Sequence, residues 1–507
     1  MIKEKSLRYY ATVPLLRKIP QSLRDSSLIK GANLIAPFNK GGTPKGWGNL
    51  PSFILGALLV LAFSPFNVWI LGLFIPALLF FQVQRQTPKI AFWRGFAFGV
   101  GEFGFGTSWI YVSLAHYGNG SLMAFIITLL FTLILALFPA VQCWLLQRYF
   151  WRQNDAVRLL LIYPILWVGG ELIRSSIFTG FPWLLLGYTQ TFTALAGYAK
   201  VGAVFLVSGL TVFVSGLICF GVFRRFIRRV IWIVIVCVGG NALLHHSFTR
   251  PIGPPLQVAL VQGNISENEK WQRDSVPNIL NAYVNLSGPI LNTALIVWPE
   301  NAITVFPEQV MSFIDSLDMN ADHFKSAIVF GIPIDNTLNH TYFNGALAVG
   351  DASGMYLKQH LVPFGEYLPL PQVFGWLFST FDIPMSTFSK GPMNPYPMQI
   401  HGLPVRVFIC YESAYPFLFR QAADSDYIIT LSDDAWFGDS LGPYQHEEME
   451  VMRAIETGRP ILRATNTGIT SIIDQNGKVL AKAPMFTPFV LKGSIQPVAG
   501  ETPWLRI

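Results

Sequence analysis

Between about Pro51 and Leu244 the chain passes through one long apolar stretch after another, nearly free of charge, and a backbone of that kind has few ways to fold. In hydrocarbon no water is present to satisfy an unpaired N–H or C=O, so such stretches must close their hydrogen bonds within helices. Measured against the roughly 20 residues that cross a bilayer, seven candidates emerge. They are Pro51 to Phe66, Val68 to Phe81, Phe96 to His116, Leu122 to Leu146, Leu159 to Phe178, Val201 to Val222 and Val230 to Leu244. The first two are short and share the turn Ser64-Pro65-Phe66-Asn67. Beyond Arg250 ordinary globular alternation takes over. The expected organisation is a basic tail at 1–48, a helical transmembrane domain of about seven spans at 49–249, an α/β domain at 250–495 and a C-terminal tail at 496–507.

Lys and Arg orient these spans, because cytoplasmic loops are enriched in them. The tail holds nine Lys/Arg against two acids. The second loop has Arg85, Lys89 and Arg94, the fourth Arg148, Arg152 and Arg158, and the sixth Arg224, Arg225, Arg228 and Arg229. The odd-numbered loops carry none, with Lys200 at the edge of the sixth span as the exception. Seven spans that start inside deliver the second half outside, which in a bacterial cell is the periplasm. The tail is too polar, and the first apolar run too late, for an ordinary secretory signal.

The net charge of +7 is accounted for by these loops, so nucleic-acid binding is not expected. No phosphate-cradling glycine loop, zinc-spaced Cys/His set or acidic metal cluster is visible, so no cofactor or metal is expected. Glu102 interrupts the third span, and Glu171 with Arg174 the fifth. The latter two, at i and i+3, read either as a self-satisfied ion pair or as a polar rim for a lipid headgroup. Gly95, Gly99, Gly101, Gly104 and Gly106 suit close helix packing.

In the second half short β-rich runs recur at Leu256 to Gln262, Thr293 to Trp298, Ala327 to Ile332, Val405 to Cys410, Tyr427 to Ser432 and Ile469 to Ile473. Helical candidates lie between several of them, at Val276 to Leu286, Gln309 to Leu317 and His446 to Thr457, which is an α/β pattern. Two strands run directly into reactive groups: Leu295-Ile296-Val297-Trp298-Pro299-Glu300 and Val405-Arg406-Val407-Phe408-Ile409-Cys410. Lys358 opens a third polar segment that ends at Glu366. Cys143, Cys219 and Cys237 fall in apolar runs, where a thiol is simply a small hydrophobe. Cys410 is alone in the exported half, and in an oxidising compartment a lone thiol is a liability unless it is used. A thiol nucleophile, an ammonium that lowers its pKa and a carboxylate that accepts its proton form a working set for acyl transfer. Lys358 and a backbone N–H after Cys410 can steady the oxyanion, an effect on the order of 3 to 4 kcal/mol per donor.

At these residues the chain resembles the nitrilase superfamily, and over its length it is similar to that superfamily's membrane-embedded branch, the apolipoprotein N-acyltransferases. The resemblance runs from about Ala62 to Thr502. It is carried by Ala62-Phe63-Ser64-Pro65, Trp109-Ile110-Tyr111-Val112-Ser113, Thr179-Gly180-Phe181-Pro182-Trp183 and Val261-Gln262-Gly263-Asn264-Ile265. It continues through Ala435-Trp436-Phe437-Gly438, Gln445-His446 and Arg463-Ala464-Thr465-Asn466-Thr467-Gly468. The resemblance implies a four-layer αββα sandwich with Glu300 as general base, Lys358 as electrostatic stabiliser and Cys410 as nucleophile. It implies supporting roles for Glu366, Tyr411, Glu412 and Trp271. As plain structure, Glu366 and Glu412 read as hydrogen-bonded fold carboxylates and Trp271 as a membrane-interface anchor. Two departures stand out: the sequence stops at Ile507 before the eighth span usual in the family, whether through natural loss or through shortening, and Asp433-Asp434 replaces a pair that often includes Asn.

The expected function is therefore transfer of an acyl chain from a phospholipid, through a Cys thioester, to the N-terminal amine of the lipid-modified cysteine of a diacylated apolipoprotein. A membrane-tethered nitrilase-type amide hydrolase using the same three residues is the alternative. A transporter with a ligand-binding exported domain is a third reading, weakened by the lack of two matching broken helices. The apolar segment Leu368 to Phe388, with Trp376, Phe378 and Phe381, reads either as a lipid-facing loop or as a packed one.

Overall fold

The computed structural model describes residues 48–116, 120–220, 226–336, 341–368 and 388–507. Each of the seven apolar runs is helical over most of its described residues, with boundaries that differ from expectation. Gly120–Tyr149, Asp155–Arg174, Ala194–Ile218 and Ile227–His245 are long and apolar enough to cross a membrane, whereas Leu50–Ala62 and Ile70–Val83 are shorter. The third run is two helices, Pro88–Gly106 and Trp109–His116. Thr107 and Ser108 separate them. The first begins at Pro88 because Thr87 Oγ1 accepts from Ile90 N at 3.3 Å and proline suits the first helical turn. Lys89 and Arg94, expected in a loop, therefore lie on this helix.

Gly95, Gly99, Gly101 and Gly106 pack closely, as expected, while Gly104 has only an ordinary contact: a Cβ on Gly95 or Gly99 would collide with the backbone of Pro139 and Ala140 or of Ala136. Glu171 and Arg174 instead depart from both earlier readings. Both are buried, and each binds the irregular segment that follows. Glu171 Oε1 accepts from Leu186 N at 2.7 Å and Trp167 Nε1 at 3.1 Å. Arg174 donates to the carbonyls of Phe181 at 2.9 Å and of Trp183. Non-helical backbone inside a helical bundle needs such internal partners. Lys200, the exception to the charge pattern, is likewise buried and donates to the carbonyls of Leu244 at 2.8 Å and His246 at 3.1 Å.

The second half is an αββα sandwich. One sheet orders its described strands as Phe489–Ile495, Leu256–Gln262, Leu295–Val297, Ala327–Asn336, Thr341–Gly350 and Met355–Leu357. The other runs Val479–Lys482, Ser471–Ile473, Ile461–Thr465, Tyr427–Ser432, Leu403–Ile409, Met398–Ile400 and Ala352–Ser353. Side chains alternate along each strand. Val405, Val407 and Ile409 meet Val258, Val297 and Val329 between the sheets, while Phe408 faces the opposite way onto Phe419 and Val451. Helices Val276–Ser287 and Met311–His323 cover the first sheet, and Gly442–Thr457 covers the second. Residues 496–507 are not a loose tail: Val498–Gly500 pairs with Thr249–Pro251, and Trp504 and Leu505 are buried.

Helix Gly442–Thr457 joins the two halves. Despite Gln445, Glu448, Arg453 and Glu456 it is buried almost throughout, because its polar groups answer the broken backbone of the helical half. Gln445 Nε2 donates to Gly106 O at 3.1 Å, where the third run breaks. Glu448 Oε2 accepts from Ser64 N at 3.2 Å, between the first two helices. Glu456 Oε1 accepts from Val204 N at 2.8 Å, just after the kink at Gly202 and Ala203. Three helix breaks are thus closed by one helix more than 250 residues away in sequence.

Burial pushes Glu448 up to about 8, against the opposing pull of Ser64 N, and its Oε1 has no partner. A carboxyl whose folded pKa is raised favours the fold fully below its unfolded value near 4.5, and that contribution is lost as pH climbs through about 8. Glu448→Gln keeps an acceptor for Ser64 N and cannot ionise. Its thermal midpoint minus that of the wild type should therefore grow from pH 5 to pH 9. A difference that stays flat across that range would show that the fold does not raise the pKa of Glu448.

Candidate active site

Two strands deliver the reactive groups by ending in the same place. Leu295–Val297 stops because Pro299 cannot donate to the ladder, and Glu300 follows, buried. Leu403–Ile409 ends at Cys410, whose φ of 53° turns the chain sharply into the short helix Cys410–Ala414. Lys358 follows the strand Met355–Leu357 and donates its backbone N–H to Asn344 O at 2.8 Å.

Lys358 Nζ lies 2.8 Å from Glu366 Oε1 and 3.4 Å from Glu300 Oε1. Asn344 Nδ2 bridges the same two carboxylates at 2.9 and 2.7 Å. Glu300 Oε2 accepts from Asp433 N at 2.9 Å, so both its oxygens are held. Burial works against the Lys358 ammonium, but Glu366 and Glu300 outweigh it and hold its pKa above the ordinary value. Lys358 is a fixed cation.

The Cys410 thiol responds in the opposite way to the expectation of a lowered pKa. Burial pushes it well above its ordinary value, Glu300 raises it further, and Lys358 lowers it only in part. The ammonium is shared between two carboxylates, which leaves less of its field for the sulfur. At rest residue 410 is a thiol, so any attack by its sulfur would need a proton acceptor at hand.

The turn at Cys410 is braced from both sides. Glu412 accepts from the backbone N–H groups of Ile409 and Gln359 at 2.7 Å and His360 at 3.0 Å, and from Tyr356 Oη at 2.9 and 2.8 Å. Burial pushes it up to about 7 even so. On the other side His446 Nε2 lies 3.1 Å from Cys410 O, and its Nδ1 lies 3.1 Å from Asp434 Oδ1. Arg463 Nη2 donates to Asp434 Oδ2 at 2.7 Å, and although burial opposes it, Arg463 with His446 holds that carboxylate well below its usual range. Tyr411 Oη and Tyr415 Oη both donate to Gly180 O, at 3.2 and 2.8 Å, which fastens the turn at Cys410 to the helical half.

The structure thus brings Glu300, Lys358, Glu366 and Cys410 together, with Tyr411 and Glu412 beside them. Trp271 is half-exposed, its indole N–H on Glu267 Oε2 at 2.9 Å. Its neighbour Lys270 is the one turned inward, reaching Glu300 O at 3.1 Å and pairing with Asp433. The two aspartates at 433 and 434 are therefore not redundant, since each has its own buried cation. Trp376, Phe378 and Phe381 lie outside the described residues. Sequence reasoning missed Asn344 and Lys270. Asn344 sits mid-strand with no local reactive pattern, and the hint for Lys270 was only its place beside Trp271. Among the described residues no group of three or more His, Cys, Asp or Glu is placed to hold a metal.

Residues 55–217 match the family described as "Apolipoprotein N-acyltransferase N-terminal domain", and residues 257–503 match "Carbon-nitrogen hydrolase". The chain is 40% identical over 461 residues to an apolipoprotein N-acyltransferase of Coxiella burnetii, an alignment covering 90% of this chain and 95% of that one. It is 40% identical over 481 residues to one of Azotobacter vinelandii, covering 92% of each. A Pseudomonas aeruginosa relative of the same name is 39% identical over 473 residues, covering 91% of this chain and 92% of that protein.

Proposed function

The chain belongs to the apolipoprotein N-acyltransferase family, a family of membrane enzymes, and on that footing we propose that it moves an acyl chain from a phospholipid, through a thioester on Cys410, to the N-terminal amine of a lipoprotein's lipid-modified cysteine. The observation that supports this most is where the three groups converge: at strand ends tied by Tyr411 and Tyr415 to the helical half, beside a bundle with many exposed apolar residues. That arrangement suits two substrates that both reach the site from a bilayer. The enrichment of Lys and Arg in alternate loops supports a catalytic half on the periplasmic side and a protein of the bacterial inner membrane.

Glu300 takes the Cys410 proton as sulfur attacks the donor ester carbonyl, which answers the raised pKa of the thiol. Lys358 faces the resulting oxyanion with its charge already in place. The tetrahedral intermediate collapses, the ester C–O bond breaks, and Glu300 returns the proton to the departing lysophospholipid. In the second half the amine attacks the thioester and passes a proton to Glu300; the C–S bond breaks and the thiolate is reprotonated. Glu366 and Asn344 position Lys358 against Glu300, and Glu412 holds the turn that carries the sulfur.

Purified protein incubated with phospholipid alone should gain one acyl group on Cys410, seen by mass spectrometry and removable by hydroxylamine. It should release that group to a peptide bearing an N-terminal lipid-modified cysteine much faster than to water. Fast release to water without the peptide would favour the hydrolase. No adduct at all, with donor consumption strictly requiring acceptor, would replace the two-step route by direct transfer.

A further inference from the structure

At one end of the helical bundle, where Ile70–Val83 turns into Pro88–Gly106 and Gly120–Tyr149 turns into Asp155–Arg174, lies a cavity of about 570 Å³. Arg85, Arg148 and Arg158 line it with Gln147, Trp151 and Asp155. Arg158 is 3% exposed, yet its Nε and Nη2 have no hydrogen-bond partner, and only its Nη1 meets Asp155, at 3.5 Å. Asp155 is shared with Arg85 at 3.9 Å. Two guanidinium groups thus share one carboxylate, and Arg148 lines the same cavity without a carboxylate of its own among the described ion pairs. A buried cation with two idle donors is costly unless an anion completes it.

We propose that this cavity binds the phosphate of an anionic phospholipid headgroup. Guanidinium forks suit phosphate oxygens, and the site keeps an uncompensated positive charge after Asp155 is counted. Lipid is favoured over free phosphate as the source. Trp151 is an exposed indole at the rim, as expected at a membrane interface, and Leu161, three residues beyond Arg158, is exposed and apolar. Arg85 lies in a basic loop and Arg148 in the last turn of the helix that leads into the next one, which on the proposed orientation puts the site in the cytoplasmic leaflet. It is separate from the catalytic centre: the helix Pro88–Gly106 starts at this cavity and ends at Gln445, a span of roughly 27 Å.

The test uses full-length protein in nanodiscs of zwitterionic phosphatidylcholine with increasing phosphatidylglycerol, reading thermal midpoint and retained lipid by native mass spectrometry. Wild type should gain stability and hold phosphatidylglycerol. In the rim variant Arg85→Ala/Arg148→Ala the half-saturating fraction should rise roughly tenfold or more. Acyl transfer from a fixed donor in detergent should stay at the wild-type rate. Arg158→Gln should abolish the response, and the exposed double variant keeps the test valid if the buried change fails to fold. An equal response of wild type and double variant to phosphatidylglycerol would overturn the site. Inorganic phosphate at millimolar concentration should give no shift; a shift as large as that with lipid would overturn the lipid assignment.

Discussion

Cys410→Ala should form no acyl adduct and transfer nothing, a loss on the order of 10⁴-fold or more in rate, because in the proposed route both half-reactions pass through the one sulfur. The loss should come without unfolding. The turn is held by Glu412 on the N–H of Ile409 and by His446 at the Cys410 carbonyl, and neither contact uses the side chain of residue 410. Cys410→Ser should be nearly as inactive. A hydroxyl ionises less readily than a thiol, and an oxygen ester yields less readily to an amine. Single-turnover assays with labelled phospholipid, alongside thermal midpoints, check both. A stable Cys410→Ala protein that still transferred acyl groups at more than a few per cent of the wild-type rate would remove Cys410 from the reaction.

The second large effect separates Glu300 from Lys358 by sign. Glu300→Gln and Lys358→Met should each slow acyl transfer, by roughly 10² to 10³-fold, the first for want of a proton acceptor and the second for want of oxyanion stabilisation. Their effects on the thiol itself should be opposite. Glu300 raises the Cys410 pKa and Lys358 lowers it, with burial the largest cause in either case. The pH at which a small soluble reagent such as iodoacetamide alkylates Cys410 should therefore fall in Glu300→Gln and rise in Lys358→Met. A variant with a more available thiolate and a lower acyl-transfer rate identifies Glu300 as proton carrier rather than as a brace for the fold. Shifts of the same sign in both variants would mean that the two charges do not act on the sulfur as placed here. Lys358→Met also leaves Glu300 and Glu366 without their cation, so its thermal midpoint should drop markedly.

Much of this site was legible because strand ends are local features. Apolar runs that stop at Glu300 and Cys410 announce themselves over six residues, and period-two alternation places the rest of each strand between sheets. Lys358 belonged to the set of residue types suited to acyl transfer and Glu366 came in with the resemblance to a known family; in the structure they lie 2.8 Å apart. The direction of the thiol's pKa did not follow from the sequence. A nearby ammonium suggested a lowered value, but the sum depends on how deeply the sulfur is buried and on how many carboxylates compete for that ammonium.

The sequence by itself determined that half the chain is helical and apolar, that the other half alternates strands with helices, and where the reactive residues stand on those strands. These are properties of hydrophobic period and of which residues can continue a ladder, both set within a few positions. Only the tertiary structure decided how the halves are joined. Helix Gly442–Thr457 carries charges enough to read as a solvated surface element, yet it is buried, because its polar groups meet backbone freed at Ser64, Gly106 and Val204. Glu171 and Arg174, adjacent on one helix, serve distant backbone in place of each other for the same reason. A polar side chain's partner is chosen by whatever unsatisfied group the fold brings within about 3 Å of it, and that distance is not written in sequence spacing.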